Sequence, residues 1–204
     1  MNERQVRIFA WLITAVSAML AVIAWAQSLT VSLDTATIYD IFTLFGILAF
    51  SIMWAHYMVG LAARHFQIEK TYLKRYYSWS ALAVLGALLL HPGLLMWQLW
   101  RDGIGLPINY VAPDMRLFLI LGQIAFLLFI AYELHRKFES KSWWHYIERA
   151  SDLAMILVLI HGYQLGKDVL PDWFMTLWLV YGATFLFAVA HSTVYRYRLT
   201  KKVL

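Results

Sequence analysis

Two histidines, His91 and His161, sit deep inside long apolar runs, in LAVLGALLLHPG and in LAMILVLIHGYQLG. An imidazole in apolar surroundings is costly without a hydrogen-bond partner or a metal. Two imidazoles at one level on separate helices form a candidate bis-imidazole clamp, the way heme iron takes two axial ligands. The competing explanation is that each histidine only hydrogen-bonds between helices. A closed zinc site needs four ligands, and no other strong ligand lies at that level.

The elements that must position them are membrane spans. The chain has 204 residues, 62% of them hydrophobic and 14% charged, against roughly a quarter charged in ordinary soluble domains. A span needs about 20 apolar residues. Six stretches qualify: 8–26, 41–63, 76–100, the run after Arg116 to 132, 143–166 and 173–195. The fifth spans only by taking in Asp152 and Arg149 near the headgroups. The first is read as a retained span, without the small-residue site of a cleavable signal peptide.

The connections alternate in charge. Arg4 and Arg7 precede the first span, while Asp34 and Asp40 follow it with no Lys or Arg. Arg64, Lys70, Lys74 and Arg75 separate the second span from the third. Arg101 and Arg116 are balanced by Asp102 and Asp114, and Lys167 by Asp168 and Asp172. Arg136, Lys137 and Lys141, and finally Arg196, Arg198, Lys201 and Lys202, restore the positive side. The positive-inside rule then gives an all-α integral membrane protein, a bundle of six transmembrane helices with both termini cytoplasmic. Residues 1–204 form one domain, and the expected location is the cell (inner) membrane, multi-pass. The net charge of +5 is explained by this topology, and no basic face suggests nucleic acid. Absence of cysteine excludes disulfides, iron–sulfur clusters and thiolate metal sites. No phosphate-cradling glycine loop or dinucleotide fingerprint occurs, and no internal repeat is detected.

In this topology the third and fifth spans both run outward. His91 lies 15 residues past Tyr76 and His161 lies 12 past Arg149. At the helical rise these are about 22 Å and about 18 Å from the inner face, so both sit in the outer half. His56 and His191 fall in the inner half as a weaker candidate pair, and His65, His135 and His145 at the cytoplasmic surface. Gln123 and Gln164 are candidates to bond a ligated histidine or a propionate. Arg101, Arg116 and Lys167 sit at the outer surface, where an anionic group could meet them, although snorkelling surface charges look the same. Pro92 can loosen the helix beside His91. Gly162, beside His161, would permit close approach of a flat macrocycle. Pro113 and Asp114 are placed to start the fourth helix. On the inner side Glu148, Arg149 and Asp152 either pair among themselves at headgroup level or accept a flavin, a quinone or a proton. Tyr77, Trp79, Trp144 and Tyr146 have the composition of an interfacial belt.

With Trp144, Arg149, His161, the apolar run 153–160 and the stretch carrying His91, the chain resembles the ferric reductase-like transmembrane domain superfamily. That group includes NADPH oxidases, six-transmembrane metalloreductases and the heme-binding membrane subunit of the bacterial methionine sulfoxide reductase system. Two-heme members carry an inner and an outer histidine on each of two helices, about four turns apart. Here the inner positions hold Ile147 and Glu148, and Tyr77 and Ser78. The resemblance therefore implies one heme b, with His91 and His161 as axial ligands of its iron, and FMN or FAD as a candidate for the cytoplasmic half. It implies a membrane oxidoreductase passing electrons from a cytoplasmic flavin reductase or quinol donor to a periplasmic or extracellular acceptor. The alternatives are a heme-free membrane scaffold subunit that retains the fold, or a small transporter.

Overall fold

The computed structural model describes residues 2–29, 36–135, 141, 143–166 and 171–203. Among these the chain is helical: α1 (Glu3–Ser28), α2 (Ile38–His65), α3 (Lys74–Arg101), a short α4 (Pro107–Tyr110), α5 (Arg116–His135), α6 (Trp144–Leu165) and α7 (Asp172–Val203). The fourth, fifth and sixth apolar stretches of the sequence are α5, α6 and α7. Asp34, Arg136, Lys137, Lys167 and Asp168 lie outside the described residues, as do the side chains of His135, His145, Arg196, Arg198, Lys201 and Lys202.

Local signals set the helix ends. Asn2 and Gln5 cap α1 reciprocally, side chain to backbone N–H, at 3.0 and 2.8 Å. At the start of α2 the Asp40 carboxylate accepts both the Thr37 N–H and the Thr37 hydroxyl at 2.8 Å. The Trp25 indole donates to the Asp40 carbonyl at 2.7 Å, tying the end of α1 to that corner. Gly103 and Gly105 take φ of 74° and 81° in the turn that leaves α3, a backbone region open to glycine at little cost. Pro113 and Asp114 sit in a 3-10 turn, Pro113–Met115, that leads directly into α5. Their expected role as its start is what the backbone displays.

Side chains are sorted as a bilayer demands. Large apolar residues face outward, among them Leu12, Leu82, Leu89, Leu127, Leu179 and Phe187. Small ones face inward. Ala10, Thr14, Ser17, Ala21 and Ala24 form one buried stripe of α1, which lets α2 approach closely. Ser17 donates across that seam to the Ser51 carbonyl at 3.3 Å. Among the described residues five helices are long and apolar enough to cross a membrane: Glu3–Ser28, Ile38–His65, Thr71–Arg101, Pro113–Glu133 and Asp172–Tyr195. With the apolar exterior, they make this a multi-pass membrane protein by composition. α6 is not among those five, and it carries three charged residues, Glu148, Arg149 and Asp152.

Two antiparallel hairpins make up the part of the bundle that matters for chemistry. α2 packs along α3, and α5 along α6, whereas α3 and α5 touch only briefly. α1 closes the first hairpin and α7 bridges α2 to α6. The bridge is aromatic: Phe50 stacks on Trp178 with centroids 3.9 Å apart, and Trp54 on Tyr181 at 4.2 Å. Gly162 belongs to this bridge. A Cβ there would strike the Trp178 ring, so its absent side chain admits a tryptophan of α7. That corrects the expectation that Gly162 makes room for a macrocycle.

Candidate functional site

Each hairpin contributes one histidine, and the two meet. The His91 and His161 ring centroids are 6.4 Å apart, with ring planes at 88°. Both residues are half-buried. His91 Nδ1 lies 2.8 Å from the Phe42 carbonyl oxygen on α2, and His161 Nδ1 lies 2.9 Å from that of Phe118 on α5. A carbonyl only accepts, so each Nδ1 carries the proton and each neutral ring keeps its lone pair on Nε2. Metal-bound histidines are commonly held in this way, with the far nitrogen donating to a backbone carbonyl. A metal–imidazole bond is about 2 Å long, so one ion shared on a common axis holds two ring centroids roughly 6 Å apart. The observed centroid spacing matches that length.

The notch for each ring is a missing side chain. A Cβ at Gly46 would lie 2.8 Å from His91 Cε1 and Nδ1, and one at Gly122 would run into the His161 ring. Phe42 and Gly46, and likewise Phe118 and Gly122, are one helical turn apart. The stretches read FTLFG and FLILG. In both hairpins the phenylalanine supplies the carbonyl, and the glycine four residues on supplies the space. A carbonyl has two lone pairs, so it serves its own helix and the histidine together. No repeat was expected from the sequence, yet this Phe-x-x-x-Gly unit occurs twice, opposite the two histidines. The signal was available, and lacked meaning until each glycine was seen facing a ring. Pro92, next to His91, lacks the N–H that would bond the Leu88 carbonyl, and α3 continues through it.

The other candidates of that end are distributed over α3, α5 and α6. Gln123 is exposed on α5, and Gln164 is half-buried near the end of α6. Arg116 is exposed at the start of α5. Arg101 is exposed, lies over the Trp97 ring at 5.1 Å, and approaches the Asp102 carboxylate at 3.8 Å. Asp102 itself accepts from Gln98 Nε2 at 2.9 Å and from the Tyr39 hydroxyl at 2.8 Å. Those hydrogen bonds, the Gln98 amide first, hold its carboxyl below the usual range. Sequence reading overlooked Gln98, which is buried on α3 at 5% exposure, two turns beyond His91.

Away from the histidine pair, Asp152 of α6 accepts the Tyr57 hydroxyl of α2 at 2.8 Å, across the gap between the hairpins. Glu148 is half-buried and Arg149 exposed. His56 shares a 2.7 Å hydrogen bond with Ser80 and packs edge-on against Tyr76 and Tyr77. His191 lies instead between Phe187 and Tyr195, so His56 and His191 find different neighbours. Of the expected belt, Trp79 and Tyr146 are exposed, but Trp144 is buried against Tyr132 at 5.3 Å. Removing the Tyr57 hydroxyl takes one hydrogen-bond donor from the half-buried Asp152 carboxylate, at a cost of about 1–3 kcal/mol. Tyr57→Phe is therefore expected to lower the thermal midpoint by roughly 2–10 °C in detergent, read by intrinsic fluorescence.

Among the described residues no three His, Cys, Asp or Glu side chains cluster as a protein-only metal site would require. A pair of facing imidazoles suits a metal whose other positions are filled by something besides protein. No family model, curated protein or solved structure matches the chain.

Proposed function

We propose that the chain is a membrane b-type cytochrome of the ferric reductase-like kind, with one heme b held by His91 and His161. One observation carries this: two imidazoles from separate hairpins face each other at 6.4 Å, each with Nδ1 committed to a backbone carbonyl. That arrangement leaves both Nε2 atoms for iron, which when bound supplies one-electron transfer. The Phe42 and Phe118 carbonyls fix the tautomers, and the glycine notches fix the ring positions. Packing between apolar hairpins would limit the access of water to His91 and His161 and would tune iron held there.

In this proposal α6 also crosses the membrane, as the fifth of six spans, and both termini are cytoplasmic. At 22 residues, α6 is about 33 Å long, enough to cross a hydrocarbon core of about 30 Å. Its charges lie in its first three turns, where Asp152 accepts the Tyr57 hydroxyl and Arg149 is exposed. Electrons come from a cytoplasmic donor, a separate flavin reductase, bound FMN or FAD, or a quinol, and leave to an acceptor on the outer side.

The test is a reduced-minus-oxidised absorbance spectrum of protein purified from cells supplied with ample heme. A low-spin signal at one heme per chain is expected, and a colourless, folded protein sinks the proposal in favour of a heme-free scaffold. Topology has its own measurement. The chain lacks cysteine, so a single introduced thiol is unambiguous. A membrane-impermeant maleimide is expected to label Asn109→Cys in intact cells and Glu69→Cys only after permeabilisation. The reverse order would invert the orientation.

A further inference from the structure

A cavity of about 800 Å³ opens between the beginnings of α1 and α3, far from the histidine pair. Three guanidinium side chains line it: Arg4 and Arg7 from α1 and Arg75 from α3. Among the described residues none of the three is held in an ion pair. Arg4 and Arg75 stand in the first turns of their helices, where a cation is disfavoured by the helix dipole. Glu3, hydrogen-bonded to Tyr72 of the same lining, is one carboxylate against three guanidinium groups, so the groove keeps a net positive charge that a further anion would offset.

The walls are amphipathic. Trp11 and Trp79 flank the arginines and are 46% and 60% exposed. Trp11 is set in place by Tyr76, edge-on at 5.2 Å, and Tyr76 is anchored by a 2.7 Å hydrogen bond to Thr14. Ile8 and Leu12 make the outer wall apolar. Leu12 also lines a second groove of about 390 Å³ on the other flank of α1, which is walled by Phe9, Val16 and Leu20 and continues up the helix. A basic cavity therefore adjoins an apolar groove on a surface that faces lipid. The ligand this fits has an anionic head and a hydrocarbon tail.

We infer that this groove binds the headgroup phosphate of an anionic phospholipid, with an acyl chain running over Leu12 along α1. The inference rests on the membrane insertion proposed above and is independent of heme. Bidentate donation by guanidinium suits a phosphate diester, and tryptophan prefers the headgroup level. A zwitterionic headgroup brings its own cation into the arginine cluster and should be disfavoured.

The full chain, purified in non-ionic detergent, is incubated with equimolar phosphatidylglycerol and phosphatidylcholine and examined by native mass spectrometry. Phosphatidylglycerol adducts are expected at least tenfold above phosphatidylcholine adducts. In the variant Arg4→Gln/Arg7→Gln/Arg75→Gln they should fall to the phosphatidylcholine level, with the heme absorbance unchanged from the parent protein. Equal retention of the two lipids, or an undiminished phosphatidylglycerol signal in the triple variant, overturns the inference. Displacement of phosphatidylglycerol by millimolar inorganic phosphate also overturns it, because the groove would then serve a soluble anion. Should the triple variant fail to fold, Arg75→Gln alone is expected to reduce retention about threefold, and retention equal to the parent overturns the inference. Failure here leaves the spectrum of the histidine pair untouched, so the two proposals stand or fall separately.

Discussion

His91→Ala and His161→Ala are each expected to remove the low-spin heme signal, lowering heme content more than tenfold while the protein remains folded. Six-coordinate low-spin iron needs both axial nitrogens, so one histidine alone gives at most a weak, high-spin species. The variants also leave the Phe42 or Phe118 carbonyl without its second donor. Each carbonyl still serves its own helix, so the loss of stability should be about 1 kcal/mol, too little to unfold the bundle. A histidine that only ties two helices together would lose that same stability with no change in colour. The distinguishing measurement is rescue. His161→Gly is expected to recover low-spin absorbance when millimolar imidazole is added, because free imidazole can occupy the emptied notch. If either single alanine variant keeps the complete low-spin spectrum, the assigned ligand pair is wrong.

The pairing was legible in the sequence because depth in a membrane can be counted. An apolar run between charged ends fixes where each residue lies along the bilayer normal, and the helical rise brings His91 and His161 to one level. Their facing contact at 6.4 Å agrees with that count. Angular position was less legible. Gln123 and Gln164 lie at suitable depths, but Gln123 points outward from α5. Sequence gave Gly162 the wrong neighbour for the same reason. It follows His161 in the chain, yet one residue of helix turns it about 100° away, onto Trp178 of α7. Asp152 could be foreseen as needing a partner, since a carboxylate among apolar helices is expensive. That the partner is Tyr57 rather than Arg149 depends on which face of α6 meets α2, and no local pattern in α6 specifies that. The Phe-x-x-x-Gly units were missed because their role is defined by the opposing helix.

Those glycines yield the sharper prediction. Glycine to alanine inside a helix normally stabilises it, by up to about 1 kcal/mol, through backbone entropy. Gly86→Ala should behave so, because a Cβ there meets nothing within 4 Å. Gly122→Ala should behave oppositely. Its Cβ would collide with the His161 ring, and the ring cannot swing aside without giving up the 2.9 Å bond to the Phe118 carbonyl. Overpacking of this kind costs about 1–3 kcal/mol, which exceeds the gain in helix propensity. The cost falls on the ligating position of the ring, so heme affinity should drop by roughly tenfold, with a shift toward high spin. Gly46→Ala should follow with a smaller effect, since its Cβ would sit 2.8 Å from His91 Nδ1 and the tilt needed is less. Heme titration of the three variants, followed by absorbance, ranks them. The expected order of affinity is Gly86→Ala, then Gly46→Ala, then Gly122→Ala. Helix propensity alone makes all three equal, and a heme affinity in Gly122→Ala matching that of Gly86→Ala would falsify the notch as the device that seats His161.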